Sequence, residues 1–211
     1  MKYKLLIAFT ALSICGFAQT KDDKNNISVG FGTQSYNGAL GNSWFNFQYE
    51  TYGVFTLNYN RYLTKAFDVS AYSTYGDFGR CKGNYDQQEW SNGTPVLNMH
   101  SRLTTGNIAL KYKLANGSIL DEDSRIAPYI FLGSGVNNAE DIWDHSTPVR
   151  VNEGNYLTIN GGLGLRINIT AKLNFTYNIS FAYFTSNKID YNSIGVNPMN
   201  MQNTYSLGYN F

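Results

Sequence analysis

Two histidine–serine doublets, His100-Ser101 and His145-Ser146, carry the side chains from which a nucleophile and its general base are made. Neighbouring residues on a strand point to opposite faces, so neither doublet can close that hydrogen bond within itself. A cross-pair between the doublets stays geometrically open, because both fall in segments expected at the same end of the fold. Solvated loop histidines explain them as well, so no catalytic residue is assigned and the chain is read as non-enzymatic. The acidic runs Asp121-Glu122-Asp123 and Glu140-Asp141 with Asp144 lack the spacing of an EF-hand loop, and two histidines give no zinc pattern. No metal or cofactor is expected. Cys81, flanked by Arg80 and Lys82, reads as an ordinary loop thiol.

The remaining candidates are charged residues on alternating segments: Glu50, Asp68, Lys111, Lys113 and Arg166. What they do depends on which face each occupies. Aromatics make up 16% of the 211 residues and charged residues only 15%, against about 25% charged in ordinary proteins. Tyr 17, Phe 13, Gly 20 and Pro 4 favour strands and tight turns over helices. Sixteen basic against fifteen acidic side chains leave no basic stripe for nucleic acid.

Residues 1–18 read as a secretory signal: Lys2 and Lys4, an apolar run from Leu5 to Ile14, then Gly16-Phe17-Ala18 before Gln19. A lipoprotein signal is the lesser alternative, since Cys15 follows Leu12-Ser13-Ile14 but Ile14 is bulky. If Cys15 leaves with the signal, Cys81 has no partner for a disulfide. The exported domain is then residues 19–211.

Eight period-2 segments follow. Ile27, Val29 and Phe31 alternate with Ser28, Gly30 and Gly32. A long second segment runs from Phe45 to Asn60, and the third sets Phe67, Val69, Ala71 and Tyr75 against Asp68, Ser70 and Thr74. Ile108, Leu110, Tyr112 and Leu114 oppose Asn107, Ala109, Lys111 and Lys113. The sixth and seventh place Leu157 to Ile167 and Leu173 to Tyr183 against Asn, Thr, Ser and Gly, and the eighth ends Tyr205, Leu207, Tyr209, Phe211. The fifth, Ile126 to Val136, has no readable register, because Pro128, Ile130 and Leu132 compete with Tyr129 and Phe131.

A soluble sandwich or lipocalin-like barrel also alternates, but its outer parity carries Lys and Glu. Here the polar parity is mostly small and neutral, suited to a narrow interior, and the apolar parity is rich in the rings expected at two bilayer interfaces. No apolar run after residue 18 is long enough for a transmembrane helix. A spanning chain must therefore close its sheet, which alone satisfies every backbone group in hydrocarbon. The expected fold is all-β: an eight-stranded antiparallel up-and-down transmembrane β-barrel. Tight turns at Thr64-Lys65 and Thr170-Ala171 fall at one end. Long polar segments, Asp77 to Ser101, Asn137 to Glu153 and Ser186 to Asn200, fall at the other. Asn37 to Ser43 is short for an outer loop and Ala115 to Ser124 long for an inner turn. The charged set should line the lumen and pair, with Asp68 meeting Lys113, unless Lys113 snorkels to the interface.

Tyr59-Asn60-Arg61-Tyr62-Leu63 with Phe67-Asp68-Val69, Pro128 to Gly133, Gly161 to Arg166 and the ending Tyr205 to Phe211 resemble the small outer-membrane barrels of Gram-negative bacteria, the OmpA and OmpX type. The resemblance covers residues 25–211 and is specific for architecture, weak for activity. It implies an outer-membrane location, a lipid environment, and recognition of Tyr205, Leu207, Tyr209 and Phe211 by the barrel assembly machinery. Full-length OmpA relatives add a peptidoglycan-binding domain; this sequence stops at Phe211, so cell-wall tethering is not implied. The expected function is a monomeric, non-enzymatic barrel serving envelope integrity or surface contact through its loops, with an unnamed surface ligand. A narrow solute channel and a lipid A-modifying enzyme, some of which use His and Ser, are the alternatives.

Overall fold

A computed structural model of the chain describes residues 24–37, 52–80, 90–91, 94–95, 99–141, 153–186 and 199–211. Eight long strands make the fold: β1 (Asn25–Asn37), β2 (Tyr52–Tyr62), β3 (Phe67–Arg80), β4 (Met99–Lys113), β5 (Ile126–Asp141), β6 (Gly154–Asn168), β7 (Leu173–Phe184) and β8 (Met199–Asn210). Each pairs antiparallel with its neighbours in sequence, and β1 pairs with β8, so the sheet is a closed barrel. The seam holds to the last residue: Phe211 N–H donates to the Asn25 carbonyl at 2.9 Å and Asn25 N–H to that of Phe211 at 3.1 Å. Closure leaves no barrel strand with an unpaired edge.

Parity decides the environment of nearly every strand residue. Phe31 is 71% exposed, Leu132 67% and Ile108 66%, whereas Asn174, Asn200 and Ser70 are fully buried. Phe175, Tyr177 and Ile179 lie on the outward parity of β7; Asn174, Thr176 and Asn178 point inside. An apolar belt of this extent on a water-soluble surface would far exceed the few hundred Å² such proteins tolerate. The barrel therefore has the polarity of one that sits in a bilayer.

The end at which β1 begins and β8 ends has the short connections. Thr64 opens the β2–β3 turn and Thr170 the β6–β7 turn, and each accepts a bond from a backbone N–H with its hydroxyl: Phe67 N–H to Thr64 at 3.0 Å, Leu173 N–H to Thr170 at 2.9 Å. The longer β4–β5 connection at this end is built round Asn116, whose side chain bonds the Lys113 carbonyl and the Ser118 N–H. Gly117 there has φ +81, a conformation that favours glycine.

The structure revises three expectations. First, the strands outrun the alternating segments: β3 reaches Arg80, β4 starts at Met99, β5 reaches Asp141 and β8 starts at Met199. Sixteen residues in β5 exceed the 9 to 11 that cross a bilayer, so the polar strand ends project beyond it at the loop end. Second, β5 resolves in favour of Tyr129 and Phe131 inside, with Ile130 and Leu132 outside. Third, the interior is not lined by small polar groups alone. Phe78, Leu103, Ala139, Tyr156 and Phe184 cluster inside the barrel at the loop end. The expected second-strand stretch from Phe45 to Glu50, the signal segment and Cys81 lie outside the described residues.

Candidate functional site: the filled lumen and its vestibule

At the turn end an asparagine chain closes the seam across four strands. Asn60 donates to Asn26 at 3.0 Å, Asn26 to Asn210 at 2.9 Å, and Asn174 to Asn210 at 3.0 Å. Asn26, Asn60 and Asn210 each both give and accept, so one side-chain type satisfies neighbours on either side of a strand pair.

Above this chain sit the charges. Lys113 Nζ lies 2.6 Å from Asp68, with both side chains over nine-tenths buried. Asp68 faces Lys111 directly across the β3–β4 ladder, yet the diagonal Lys113 takes the carboxylate. Lys111 instead reaches Asn60 at 2.5 Å and lies 4.8 Å from the Tyr129 ring centre, and Lys113 also stands 4.1 Å over the Tyr62 ring. Lys113 thus turns inward rather than snorkelling. Arg166 lines the same small cavity as Asp68, Lys111 and Lys113. Glu50 lies outside the described residues.

The aromatic layer is made possible by glycines on the next strand. A Cβ on Gly164 would fall 2.1 Å from the Tyr129 ring, and one on Gly162 would fall 2.7 Å from that of Phe131. The two rings lie across bare β6 backbone, and Tyr129 passes over it to donate to Asn178 on β7. Phe131 meets Tyr72 of β3 edge-on at 6.4 Å. Gly164→Val should displace the Tyr129 ring and cost about 1–3 kcal/mol by overpacking. Urea unfolding of the refolded barrel, followed by tyrosine and tryptophan fluorescence, would measure it. Gly106→Val is the control: a Cβ there meets nothing, so equal losses at both sites would refute the packing role.

Nearer the loop end a second polar network crosses the lumen. Gln202 of β8 bonds Gln34 of β1 at 2.9 Å and Thr74 of β3 at 3.2 Å, and Thr74 shares a 2.8 Å bond with Thr105. Asn160 and Asn107 continue it to β6 and β4 at 2.6 Å. The apolar cluster of Phe78, Leu103, Tyr156 and Phe184 also faces the interior there. Those inward rings went unread in the sequence, although extending the parity of Ser70 and Thr74 to Phe78, or of Thr158 to Tyr156, points to them.

Among the described residues, the cavity bounded by Thr56, Tyr72, Lys111 and Phe131 and the one bounded by Asp68, Lys111, Lys113 and Arg166 each measure about 20 Å³. A single water needs roughly 10–15 Å³, so neither is a passage for a hydrated solute. A third cavity, of about 550 Å³, opens at the turn end between Tyr62, Lys113, Arg125, Arg166, Asn168 and the β6–β7 turn. Glu122 at its rim accepts from Tyr62 Oη at 3.1 Å and lies 3.3 Å from Lys65.

The sequence candidates for chemistry are not brought together among the described residues. Ser101 faces inward and its hydroxyl donates to the Glu140 carbonyl at 2.6 Å. His145 and Ser146 lie outside the described residues, as does the His100 side chain. On the outer wall, Arg102 meets Asp77 at 2.9 Å beside Tyr75. Tyr205, Leu207 and Tyr209 are outward and exposed, and Tyr205 stacks on Tyr177 at 4.9 Å.

No protein-family description matches the chain, and no curated protein matches it by sequence. Solved structures do match it. Neisserial surface protein A aligns over 89% of this chain and 97% of its own, with TM-score 0.58 and 10% identity. The outer membrane protein OprG of Pseudomonas aeruginosa covers 90% and 96%, with TM-score 0.51 and 15% identity. The N-terminal β-barrel domain of OprF from the same organism covers 90% and 98%, with TM-score 0.50 and 14% identity. At such identities the likeness is one of fold.

Proposed function

We propose that this protein is a non-enzymatic, non-conducting barrel of the outer membrane of a Gram-negative bacterium, a rigid stave that holds loops on the cell surface for envelope integrity or surface contact. The observation that carries this reading is the filled lumen. Among the described residues, bonds and rings join strands across the interior at three levels, and the cavities beside Lys111 there are of about 20 Å³. Its apolar outer belt and its likeness to structures such as OprG support the location. Rigid scaffolds with variable connections are where binding resides, and the turn end then faces the periplasm.

Tyr205, Leu207, Tyr209 and Phe211 serve as the signal for the barrel assembly machinery, and the mature protein works as a monomer in lipid. Planar-bilayer recording with purified refolded protein tests the central point. No discrete conductance steps are expected; reproducible unitary steps would replace the scaffold reading with that of a channel. For the alternative of a lipid A-modifying enzyme, lipid A mass spectra from cells with and without the protein should be identical.

A further inference from the structure

The β4–β5 connection is built more firmly than joining two strands requires, and its tip is apolar. Leu120 N–H donates to the Leu114 carbonyl at 3.1 Å, Gly117 N–H to that of Leu120 at 2.8 Å, and Ser124 N–H to that of Asp121 at 3.0 Å. Asn116 Oδ1 accepts from the N–H groups of both Ser118 and Ile119. With its backbone tied in this way, the turn holds Ile119 at 57% and Leu120 at 40% exposure. An aliphatic pair fixed at a loop tip in water forgoes the gain that removal from water brings.

Side-chain contacts give the direction in which the tip lies. Asn116 Nδ2 donates to Tyr112 Oη at 3.3 Å, and the Tyr112 ring is 5.4 Å from that of Phe67 on the outer wall. Leu114, next on the outward parity after Leu110 and Tyr112, takes the bond from Leu120, so the tip continues an outward column of the apolar belt. The other edge turns to the lumen. Ala115, Glu122 and Asp123 line the vestibule, and Glu122 is held there by Tyr62 and Lys65. The connection is therefore amphipathic, aliphatic beneath the wall and acidic toward the vestibule.

We propose that the β4–β5 connection is a lipid-binding foot, with Ile119 and Leu120 seated in the interfacial layer of the leaflet at the turn end and the acidic edge left in water. The occupant is lipid and not a dissolved protein because the tip runs on from a surface that lipid already bathes. The Tyr112–Phe67 pair directly above it is of the kind that marks the headgroup level, and an apolar tip just beyond such rings meets the boundary of headgroups and acyl chains. The foot pins the rim at that level on one side of the barrel. It rests on the barrel spanning a bilayer and is independent of whether the lumen conducts.

Added tryptophans test it in the full barrel refolded into phosphatidylcholine vesicles whose acyl chains carry bromine near either the carbonyl or the methyl end. Emission is read as the difference from wild type, whose Trp44, Trp90 and Trp143 give the background. The three replaced positions are all exposed, and heat-dependent gel mobility checks that each variant folds. Ile119→Trp should lose more emission to the shallow bromine than to the deep one, Leu132→Trp the reverse, and Asp123→Trp little to either. Emission from Ile119→Trp that bromine leaves untouched, at the wavelength of an indole in water, would overturn the foot and leave the tip to a dissolved partner. Equal quenching of Ile119→Trp and Asp123→Trp would overturn it too, since the connection would then have no lipid side. A Leu132→Trp that answers to neither label would sink the bilayer placement itself, so the two readings fail separately.

Discussion

Asp68→Asn is expected to destabilise the folded barrel by about 3–5 kcal/mol, the range for breaking a buried ion pair from one side. The side chain it removes is over nine-tenths buried and lies 2.6 Å from Lys113. Without it, Lys111, Lys113 and Arg166 line the same cavity with no carboxylate among its lining residues. Lys113→Met should cost less, because Asp68 keeps Lys111 and Arg166 beside it. The double variant Asp68→Asn, Lys113→Met should cost less than the sum of the two single changes, since each single change leaves one member of the buried pair without the other. Urea unfolding in phospholipid vesicles, read by fluorescence and by the heat-dependent shift in gel mobility, gives all three values. If Asp68→Asn and Lys113→Met cost the same, or the double variant is simply additive, the two side chains do not act as a buried pair.

The second large effect concerns the outer face. Leu132→Arg, at a position 67% exposed in mid-strand, should cost about 2–4 kcal/mol in a bilayer, where an arginine near the midplane loses its hydration. Leu63→Arg, in the β2–β3 turn and half exposed, should cost roughly 0–1 kcal/mol, because its charge reaches the interface. On a water-facing surface both would lie within about 0.5 kcal/mol of wild type. The contrast between the two positions is therefore the measurement: equal, near-zero costs would mean that water and not lipid bathes the belt.

The same contrast explains why so much of the architecture was legible. A lipid-facing residue answers to a uniform surrounding, so its type can be read from its own parity, and Phe31, Ile108 and Leu207 each announce their face without reference to any partner. Tight turns at Thr64 and Thr170 are equally local, each made by one hydroxyl within its own loop. β5 was illegible for the opposite reason. Both of its parities carry large apolar groups, and what admits Tyr129 and Phe131 to the interior is the absence of side chains at Gly162 and Gly164, some thirty residues away in sequence and opposite only once β6 has paired.

The alternation of the chain by itself determined the strand number, the antiparallel closure and the inversion of polarity, and it brought Asp68 and Lys113 to adjacent strands of one face. Only the tertiary structure decided that Lys113 turns in to the expected pair with Asp68 instead of snorkelling, that aromatic rings and a Gln202–Thr74 bond cross the lumen, and that Lys113 and Arg166 stand at the head of a vestibule. Facing is a period-2 property carried by each strand alone, whereas filling depends on which side chains of non-adjacent strands arrive at the same height, and the stagger of the closed barrel sets that.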